Sequence, residues 1–274
     1  MHSLSSEVSI ASDLAKQAGT LIMDVSQSDF SVAYKKPSDP VTEADQRANT
    51  IIVEGLHRQF PEDLIVAEES PPPPDLSSRG RVWYVDPLDG TKEFINKNGE
   101  FSVMIGLAIN GRAKLGVVYQ PSEDRLYAGI ADETAWMETA TGRTPLQTAR
   151  QKTPELLTLI VSRSHRNPHI ETIKQQTGIS QEYSSGSVGL KIGLIARQKA
   201  DVYIEPGPYT SLWDACAPEA IIRGAGGQFS DIYGNHILYG HDTLKNTKGL
   251  VATNGACHDV IIQSISSITE HIRG

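Results

Sequence analysis

Two aspartates three residues apart, in Asp86-Pro-Leu-Asp-Gly-Thr91, directly follow the apolar run of residues 81–85. The run is typical of a buried strand, so the two carboxylates should emerge at the end of a strand. Carboxylates and backbone carbonyls, such as that of Leu88 between the aspartates, are the ligands that hard cations prefer. Gly90 and Thr91 then offer consecutive backbone N–H groups, and a glycine lets the chain approach a phosphate closely. The six residues therefore predict a site for metal and phosphate together.

Three further segments can bring acidic side chains to the same place. Glu68-Glu69 follows a short apolar run, Trp213-Asp214 opens a predicted helix, and Asp45 lies in the first turn of another. Hydrolysis of a phosphate ester needs an attacking water, neutralisation of the phosphoryl charge and stabilisation of the leaving oxygen. Two or three Mg²⁺ ions held by carboxylates can supply all three. The residues indicate magnesium-assisted hydrolysis of a phosphate ester.

Each of these segments has a simpler explanation when it is taken alone. An Asp-Pro turn is common after a strand, and Glu68-Glu69 is typical of solvated surface. Asp45 can cap its helix, and Asp214 can stabilise the N-terminus of its own. A structural role is the better explanation for each one singly. Their joint occurrence in one chain favours the metal site.

Composition narrows the class of protein. The chain has 274 residues, an apolar fraction of 39% and a formal net charge of −8. Such a length allows one large domain or two packed halves, and the acidic balance argues against binding of a nucleic-acid polymer. Cys216 and Cys257 show neither a paired spacing nor the histidines of a zinc site, which fits a reducing cytoplasm. No stretch predicts membrane insertion or export.

Periodicity predicts the elements that position the acidic residues in the first half. Six apolar residues recur at helical spacing after Ser5 and Ser6 and predict an amphipathic helix: Val8, Ala11, Ala15, Ala18, Ile22 and Val25. Thr42 and Asp45 have the spacing of a capping box, which begins a second helix ending before Pro61. A strand is expected at 64–67 and a surface loop at Pro71 to Pro74.

The remaining elements fall into two groups. Asn110-Gly111 predicts a hairpin between strands at 102–109 and 114–119, with two more antiparallel strands at 126–130 and 134–138. After about residue 145 strands and helices alternate, which indicates an α/β half with some parallel pairing. The predicted strands of this half are 157–161, a short one near Glu182, and 201–204; the predicted helices are 168–176, 188–197 and 214–223.

Four segments resemble, in their order, the lithium-sensitive, magnesium-dependent superfamily of inositol monophosphatases, fructose-1,6-bisphosphatases and 3′(2′),5′-bisphosphate nucleotidases. They are Asp39-Pro-Val-Thr-Glu-Ala-Asp45, Val66-Ala-Glu-Glu-Ser70, Trp83 to Phe94, and Leu212-Trp-Asp-Ala-Cys-Ala217 through Gly226-Gly227. The resemblance implies a mixed α+β and α/β fold, a layered α-β-α-β-α sandwich. An N-terminal half, residues 1–145, would meet a C-terminal half, residues 146–274, with the active site at their junction.

The resemblance also implies a role for each acidic residue. Two or three Mg²⁺ ions would be held by Glu68, Asp86, the carbonyl of Leu88, Asp89 and Asp214. A water on the metal, hydrogen-bonded to Glu68 and Thr91, would attack phosphorus in line while Asp45 orients Thr91 as proton acceptor. The amides of Gly90 and Thr91 would hold phosphate oxygens. No covalent phosphoenzyme is expected.

The residues after the metal turn bear on the substrate, a small-molecule phosphate ester. Lys92-Glu93-Phe94 resembles the bacterial CysQ type of nucleotidase, whereas inositol monophosphatases usually carry a Thr-Asn or similar pair there. That branch, part of sulfur metabolism, removes the 3′-phosphate of adenosine 3′,5′-bisphosphate to give AMP. Ser162-Arg-Ser-His165 and Ser187 with Lys191 also resemble the nucleotide-binding segments of that branch. Candidates to contact the second anionic group of the substrate are Arg163, His165, Arg166 and Lys191, although ordinary solvated charge is the better explanation for Arg166.

Other functions stay open from the sequence. Inositol monophosphatase or fructose-1,6-bisphosphatase activity is the alternative, because these enzymes would share the metal site. A non-catalytic nucleotide-binding regulator is less favoured, since Asp45, Thr91 and every expected ligand are present. The sequence is also compatible with a homodimer.

Overall fold

A computed structural model describes residues 4–36, 39–76, 80–241 and 243–269, with only the backbone described for residues 39 and 267–269. The helices of the described residues are α1 Ser5–Ser26, α2 Glu43–Gln59, α3 Thr91–Ile95, α4 Ile170–Thr177, α5 Val188–Ala196, α6 Leu212–Gly224 and α7 His258–Thr269. The strands of the first half are β1 Val32–Lys36, β2 Asp39–Thr42, β3 Leu64–Ala67, β4 Arg81–Asp89, β5 Ser102–Ile109, β6 Arg112–Gln120, β7 Arg125–Ile130, β8 Thr134–Thr139 and β9 Gly142–Pro145. Those of the second half are β10 Thr158–Ser162, β11 Gln181–Ser185, β12 Val202–Glu205, β13 Gln228–Ser230 and β14 Leu250–Thr253.

Strands β3 to β9 form one seven-stranded sheet in sequence order. The sequence predicted an antiparallel sheet here, and that is wrong for its first pair, because β3 and β4 run parallel. Parallel strands end at the same edge of a sheet, so the carboxyl ends of β3 and β4 lie together. Strand β9 was not predicted, since its four residues are all exposed and carry no alternating apolar pattern.

The predicted hairpin is confirmed. Strands β5 and β6 pair antiparallel on either side of Asn110 and Gly111, which have φ angles of 51° and 74°. Positive φ at both central residues is the requirement of the tight turn that Asn-Gly favours. The amphipathic first helix is likewise confirmed as α1, with its six apolar residues buried.

Strands β10 to β14 form a second sheet with the order β11-β10-β12-β14-β13. Strand β10 pairs parallel with β11 and β12, as expected of an alternating α/β pattern, whereas β14 is antiparallel to both its neighbours. Strands β13 and β14 and helix α7 were not predicted from the sequence. The first two are only three and four residues long, too short for a pattern to show.

The elements stack in five layers. Side chains of β4 alternate, so that Trp83 and Val85 pack against α1 and α2 while Tyr84 packs toward α5 and α6. Helices α5 and α6 lie between the two sheets, where they share one apolar cluster with Ile160 and Tyr203 of the second sheet. Helices α4 and α7 cover the outer face of the second sheet. This is the layered α-β-α-β-α sandwich that the sequence predicted. Within the described residues, no helix has the length and apolar character needed to cross a membrane.

Candidate metal centre and substrate pocket

Strand β4 does not end before the two aspartates, as the sequence predicted, but continues through both of them to Asp89. Three residue steps of β4, from Asp86 to Asp89, oppose only two of β5. Pro87, which has no N–H to donate to a ladder, lies in this bulge. The amide of Leu88 donates to Asp86 Oδ1 at 3.0 Å. The bulge thus turns the strand so that Asp86, the Leu88 carbonyl and Asp89 serve one site.

Gly90 and Thr91 follow at the sharp turn into α3. Gly90 has a φ of +98°, and a Cβ there would lie 3.1 Å from the carbonyl oxygen of Glu100. Only glycine takes this conformation without strain. Thr91 Oγ1 lies 3.0 Å from Asp45 Oδ1 and 3.3 Å from the Leu88 carbonyl oxygen, either of which can accept its proton. The turn therefore places the Thr91 hydroxyl beside a buried carboxylate.

Asp45 performs two tasks with its two oxygens. The predicted capping box of α2 is confirmed, because Asp45 Oδ2 accepts hydrogen bonds from the Thr42 amide at 2.8 Å and from the Thr42 hydroxyl at 2.6 Å. Oδ1 is left for Thr91. Burial raises the pKa of Asp45, and the hydrogen bonds from Thr42 oppose that rise. Asp45 therefore both caps α2 and contacts Thr91 of the metal turn.

Asp214 stands in the same relation to α6. The helix begins at Leu212, two residues before the predicted start, and Asp214 Oδ2 accepts a hydrogen bond from the Ser211 amide at 2.6 Å. Both functional aspartates at helix starts are therefore oriented by the amide of the residue before their helix. The backbone at a helix start therefore holds the carboxylates of both Asp45 and Asp214.

Glu68 follows β3, and its amide donates to the Val85 carbonyl at 3.1 Å. Its carboxylate accepts a hydrogen bond from Lys35 of β1 at 2.9 Å, and Lys35 also bonds Glu69. Burial raises the pKa of Glu69 to about 7. Burial also raises the pKa of Glu68, against the charge of Lys35. Lys35 carries no sequence signal, because only the antiparallel pairing of β1 with β2 brings it to the acidic residues.

The predicted metal ligands all line one pocket, whose volume is about 580 Å³. We call the acidic wall the four pocket carboxylates that belong to the predicted metal ligands: Glu68, Asp86, Asp89 and Asp214. Glu93 and Glu205 also line the pocket. Burial raises the pKa of Asp214 to about 8, and repulsion from Asp89 and Glu68 adds to the shift. The same causes raise the pKa of Asp86. Buried carboxylates that repel one another in this way are stabilised by a cation.

The donor set fits Mg²⁺, which binds carboxylate and carbonyl oxygens. Within the described chain, no three acidic, histidine or cysteine side chains already surround one point as a metal shell. All four carboxylates of the wall have hydrogen-bond partners. Glu68 pairs with the Lys35 side chain and Asp89 accepts a hydrogen bond from the Ser187 hydroxyl at 2.5 Å, whereas Asp86 and Asp214 accept from backbone amides.

The pocket continues into a region of opposite charge. We call the basic wall four basic residues that line the pocket: Lys92, His165, Arg166 and Lys191. Burial lowers the pKa of His165, so its neutral imidazole offers a hydrogen bond rather than a charge near pH 7. Lys191 is 1% exposed, and its ammonium donates to the Gly186 carbonyl and lies 5.4 Å from the centre of the Tyr203 ring. Burial lowers the pKa of Lys191, whereas the charges of Asp89 and Glu93 oppose that change. Predicted residues His165 and Lys191 thus reach the pocket.

Two other predicted substrate contacts are placed elsewhere. Arg163 forms a two-pronged ion pair with Glu100, at 2.6 and 2.7 Å, and is not among the described residues that line the pocket. Ser187 is fully buried behind Asp89, where it also accepts the Leu190 amide and caps α5. The structure gives Ser187 a role toward Asp89 and does not bring Arg163 to the substrate side.

The pocket also contains residues that the sequence analysis missed, among them Glu205, Tyr209 and Lys245. Glu205 ends strand β12 and accepts a hydrogen bond from Asn167 at 2.7 Å. An acidic residue after the apolar run 202–204 is the same signal that identified Glu68, so Glu205 could have been found. Tyr209 and Lys245 lie in irregular segments without such a signal.

The model of the inositol monophosphatase family matches residues 3–270. The chain belongs to the inositol monophosphatase family. The resemblance drawn from its four sequence segments is therefore confirmed, and family membership together with the relatives below identifies a phosphatase.

Relatives and solved structures of this inositol monophosphatase family agree with the fold. The 3′(2′),5′-bisphosphate nucleotidase CysQ of Escherichia coli (strain K12) is 39% identical over 229 residues, covering 82% of this chain and 91% of that protein. CysQ of Bacteroides thetaiotaomicron, a solved structure, is 30% identical with a TM-score of 0.75, over 90% of this chain and 97% of that one. The extragenic suppressor protein SuhB of Bartonella henselae has a TM-score of 0.81 at 24% identity, covering 95% and 98% of the two chains, and shows the same fold.

Proposed function

We propose that this phosphatase is a magnesium-dependent 3′(2′),5′-bisphosphate nucleotidase that converts adenosine 3′,5′-bisphosphate to AMP and phosphate. The observation that carries the proposal is one pocket with an acidic wall and a basic wall. The first suits a phosphoryl group held through cations, and the second suits a further phosphate held directly. Relatives named as CysQ nucleotidases at 39% and 41% identity support this substrate class.

The acidic wall and the Leu88 carbonyl would hold two or three Mg²⁺ ions. Bound there, the ions supply neutralisation of phosphoryl charge and Lewis-acid activation. The raised pKa values of Asp86 and Asp214 support this assignment, because burial and then repulsion between the carboxylates cause them, and a shared cation offsets both. Oxygen donors at a strand bulge and a helix start also form a rigid frame for a small ion.

Thr91 and Asp45 would manage the proton of the attacking water. When Thr91 Oγ1 donates its hydrogen to Asp45 Oδ1, its lone pairs are free to accept a hydrogen bond from a water in the pocket. Glu68 offers that water a second acceptor. As the water oxygen bonds to phosphorus, its proton passes to Thr91 and the Thr91 proton passes to Asp45. The P–O3′ bond breaks, and the leaving oxygen takes up a proton from solvent water to become the 3′-hydroxyl of AMP. Asp45 then releases its proton to solvent, which restores the starting state.

Other residues would bind and orient the substrate. The amides of Gly90 and Thr91, at the pocket surface, would hold oxygens of the transferred phosphate. His165 and Lys191 would contact the second phosphate or the sugar. Asp214 would lie on the side of the leaving oxygen. No side chain needs to form a covalent bond to phosphorus.

The wider expectations belong to the same proposal. The protein would act in the cytoplasm in sulfur metabolism, and Li⁺ would inhibit it by competing for a magnesium position. The two halves would divide near residue 145, where the seven-stranded sheet ends. A homodimer is the assembly to test, by light scattering of the purified protein.

A substrate panel tests the proposal. The values of kcat/KM with Mg²⁺ should be highest for adenosine 3′,5′-bisphosphate and lower for inositol 1-phosphate and fructose 1,6-bisphosphate. Phosphorus NMR should show AMP, with its 5′-phosphate intact, as the nucleotide product. EDTA should abolish turnover, and Mg²⁺ should restore it. If adenosine 3′,5′-bisphosphate had the lowest kcat/KM of the panel, the substrate assignment would be refuted. The family assignment would not change.

A further inference from the structure

Glu93 is an acidic residue of α3 that is only 3% exposed. Its carboxylate accepts a hydrogen bond from the Ser164 hydroxyl at 2.5 Å. Among the ion pairs formed by the described residues, each within 4.0 Å, Glu93 has no partner. A buried carboxylate without an ion-pair partner is costly, so proteins keep one where it holds something in place.

Ser164 lies between Arg163 and His165, in the turn that follows β10. The hydrogen bond to Glu93 therefore connects α3, directly after the metal turn, with the segment that carries His165 of the basic wall. The His165 amide in turn donates to the Ser162 hydroxyl at 3.2 Å. Glu93 thus contacts the turn at its middle.

Glu93 also supports the second segment of the basic wall. A Cβ added at Gly186 would lie 2.6 Å from Glu93 Cγ and 2.3 Å from the Glu100 carbonyl oxygen, so the Gly186 backbone packs directly on the Glu93 stem. The Gly186 carbonyl accepts the hydrogen bond of the Lys191 ammonium. One side chain therefore contacts the backbone that holds Lys191 and the turn that holds His165.

We infer that Glu93 is a positioning residue for substrate selectivity, which fixes the turn of Ser164 and the Gly186 backbone so that His165 and Lys191 face the second phosphate. The inference rests on the proposed function of the pocket. Glu93 also lines the pocket, but it is not one of the predicted metal ligands. It acts through the two segments of the basic wall, at their contact with α3.

The test compares two substrates on the holoenzyme with Mg²⁺. Adenosine 3′,5′-bisphosphate engages both walls, whereas p-nitrophenyl phosphate needs only the acidic wall. Glu93→Ala and Ser164→Ala should each raise KM for the bisphosphate about tenfold, with kcat/KM for the aryl phosphate within about twofold of wild type. The double variant should lose no more than either single one, because both remove the same contact.

Two further variants separate positioning from charge and from folding. Glu93→Gln keeps an oxygen that can accept the Ser164 hydrogen bond, so it should restore KM to within about threefold of wild type. Glu219→Gln is the matched control, since Glu219 is also buried and accepts a hydroxyl, that of Tyr239 at 2.7 Å, outside the pocket. It should lower the melting temperature without changing the ratio of the two activities.

An unchanged KM in both Ser164→Ala and Glu93→Ala would overturn the inference, as would an equal loss on both substrates. Ser164→Ala removes a single oxygen, so it keeps the inference testable even where Glu93→Ala does not fold. A wild-type protein that fails to cleave the bisphosphate would instead refute the proposed function.

Discussion

The acidic wall and the basic wall of the pocket are held in different ways. Asp86 and Asp214 accept hydrogen bonds from backbone amides, and the bulge of β4 or the start of α6 fixes their positions. The cations of the basic wall stand on longer side chains from turns and helices, and Arg166 is shared with Glu171 and Glu182. A wall fixed by backbone suits chemistry that all substrates share. A wall fixed by side chains suits selection among them.

The largest effect is expected where the acidic wall loses a charge. Asp89→Asn keeps the shape of the side chain and an oxygen that can accept the Ser187 hydroxyl, but removes a predicted metal-bridging charge. Turnover on every phosphate ester should fall about 10³-fold, with a melting temperature close to that of wild type. Rates on both test substrates and a thermal melt check this. Near-normal turnover would mean that Asp89 does not bind metal.

The proton pathway gives the next effect. Thr91→Val removes the hydroxyl that joins Asp45 to the pocket and should lower kcat about 10²-fold or more on both substrates. Thr91→Ser retains the hydroxyl and is the control, expected to keep most of the activity. If Val and Ser behaved alike, the hydroxyl would have no part in the reaction.

Metal binding should be visible without catalysis. Since Mg²⁺ would relieve repulsion in the acidic wall, a concentration of about 100 times the dissociation constant should stabilise the fold by about 2.7 kcal/mol. The melting temperature should rise accordingly in wild type and much less in Asp89→Asn. Differential scanning calorimetry with Mg²⁺, and again with EDTA, measures the shift. An equal rise in both proteins would place the ion outside the acidic wall.

The basic wall should affect one substrate more than another. Lys191→Met fills nearly the same buried space without the charge, so KM for adenosine 3′,5′-bisphosphate should rise about tenfold. Turnover of p-nitrophenyl phosphate should stay near that of wild type. If Lys191→Met lost kcat/KM equally on both substrates, the two walls would not have separate roles.

The smallest effect concerns stability outside both walls. His258 is buried between the hydroxyls of Ser230 and Thr253, at 3.1 Å each, and burial lowers its pKa below the ordinary 6.5. As the pH falls through 6.5, the ordinary pKa of histidine, the unfolded chain takes up a proton before the folded chain does. The free energy of unfolding therefore decreases toward low pH. Urea unfolding at about pH 7.5 and about pH 5.5 should show a loss up to about 1 kcal/mol larger in wild type than in His258→Gln. The pH dependence of turnover should be the same in the two proteins.

Much of the fold could be predicted where pattern and local chemistry agreed. The capping box at Thr42 and the Asn-Gly turn at residue 110 are local, so a few residues decide them. The parallel pairing of β3 with β4 is different, because it joins two segments that are not adjacent in sequence and no local signal specifies it. Strands β13 and β14 are short and buried, and only their neighbours in the sheet define them.

The candidate site divides in the same manner. Asp86, Asp89 and Glu68 could be proposed from their position after apolar runs, and Asp45 and Asp214 from helix starts. Arg163 and Ser187 were proposed from segments that resemble nucleotide-binding segments, but a local resemblance does not reveal which partner a side chain will contact. Arg163 pairs with Glu100, and Ser187 donates a hydrogen bond to Asp89; each partner lies more than sixty positions away in the sequence. Glu205 carries the same signal as Glu68, an acidic residue after an apolar run, and was missed. Lys35 and Tyr209 entered the site only through folding.

The sequence by itself determined the donors: which carboxylates exist, which hydroxyl stands beside the metal turn, and which helix and strand signals accompany them. These properties are local, since spacing and side-chain chemistry are written in a few adjacent residues. Only the tertiary structure decided that the donors share one pocket and that its far side is basic. Convergence of distant segments depends on packing between layers, where the burial of apolar faces, and not any local preference, selects the neighbours of each charged group.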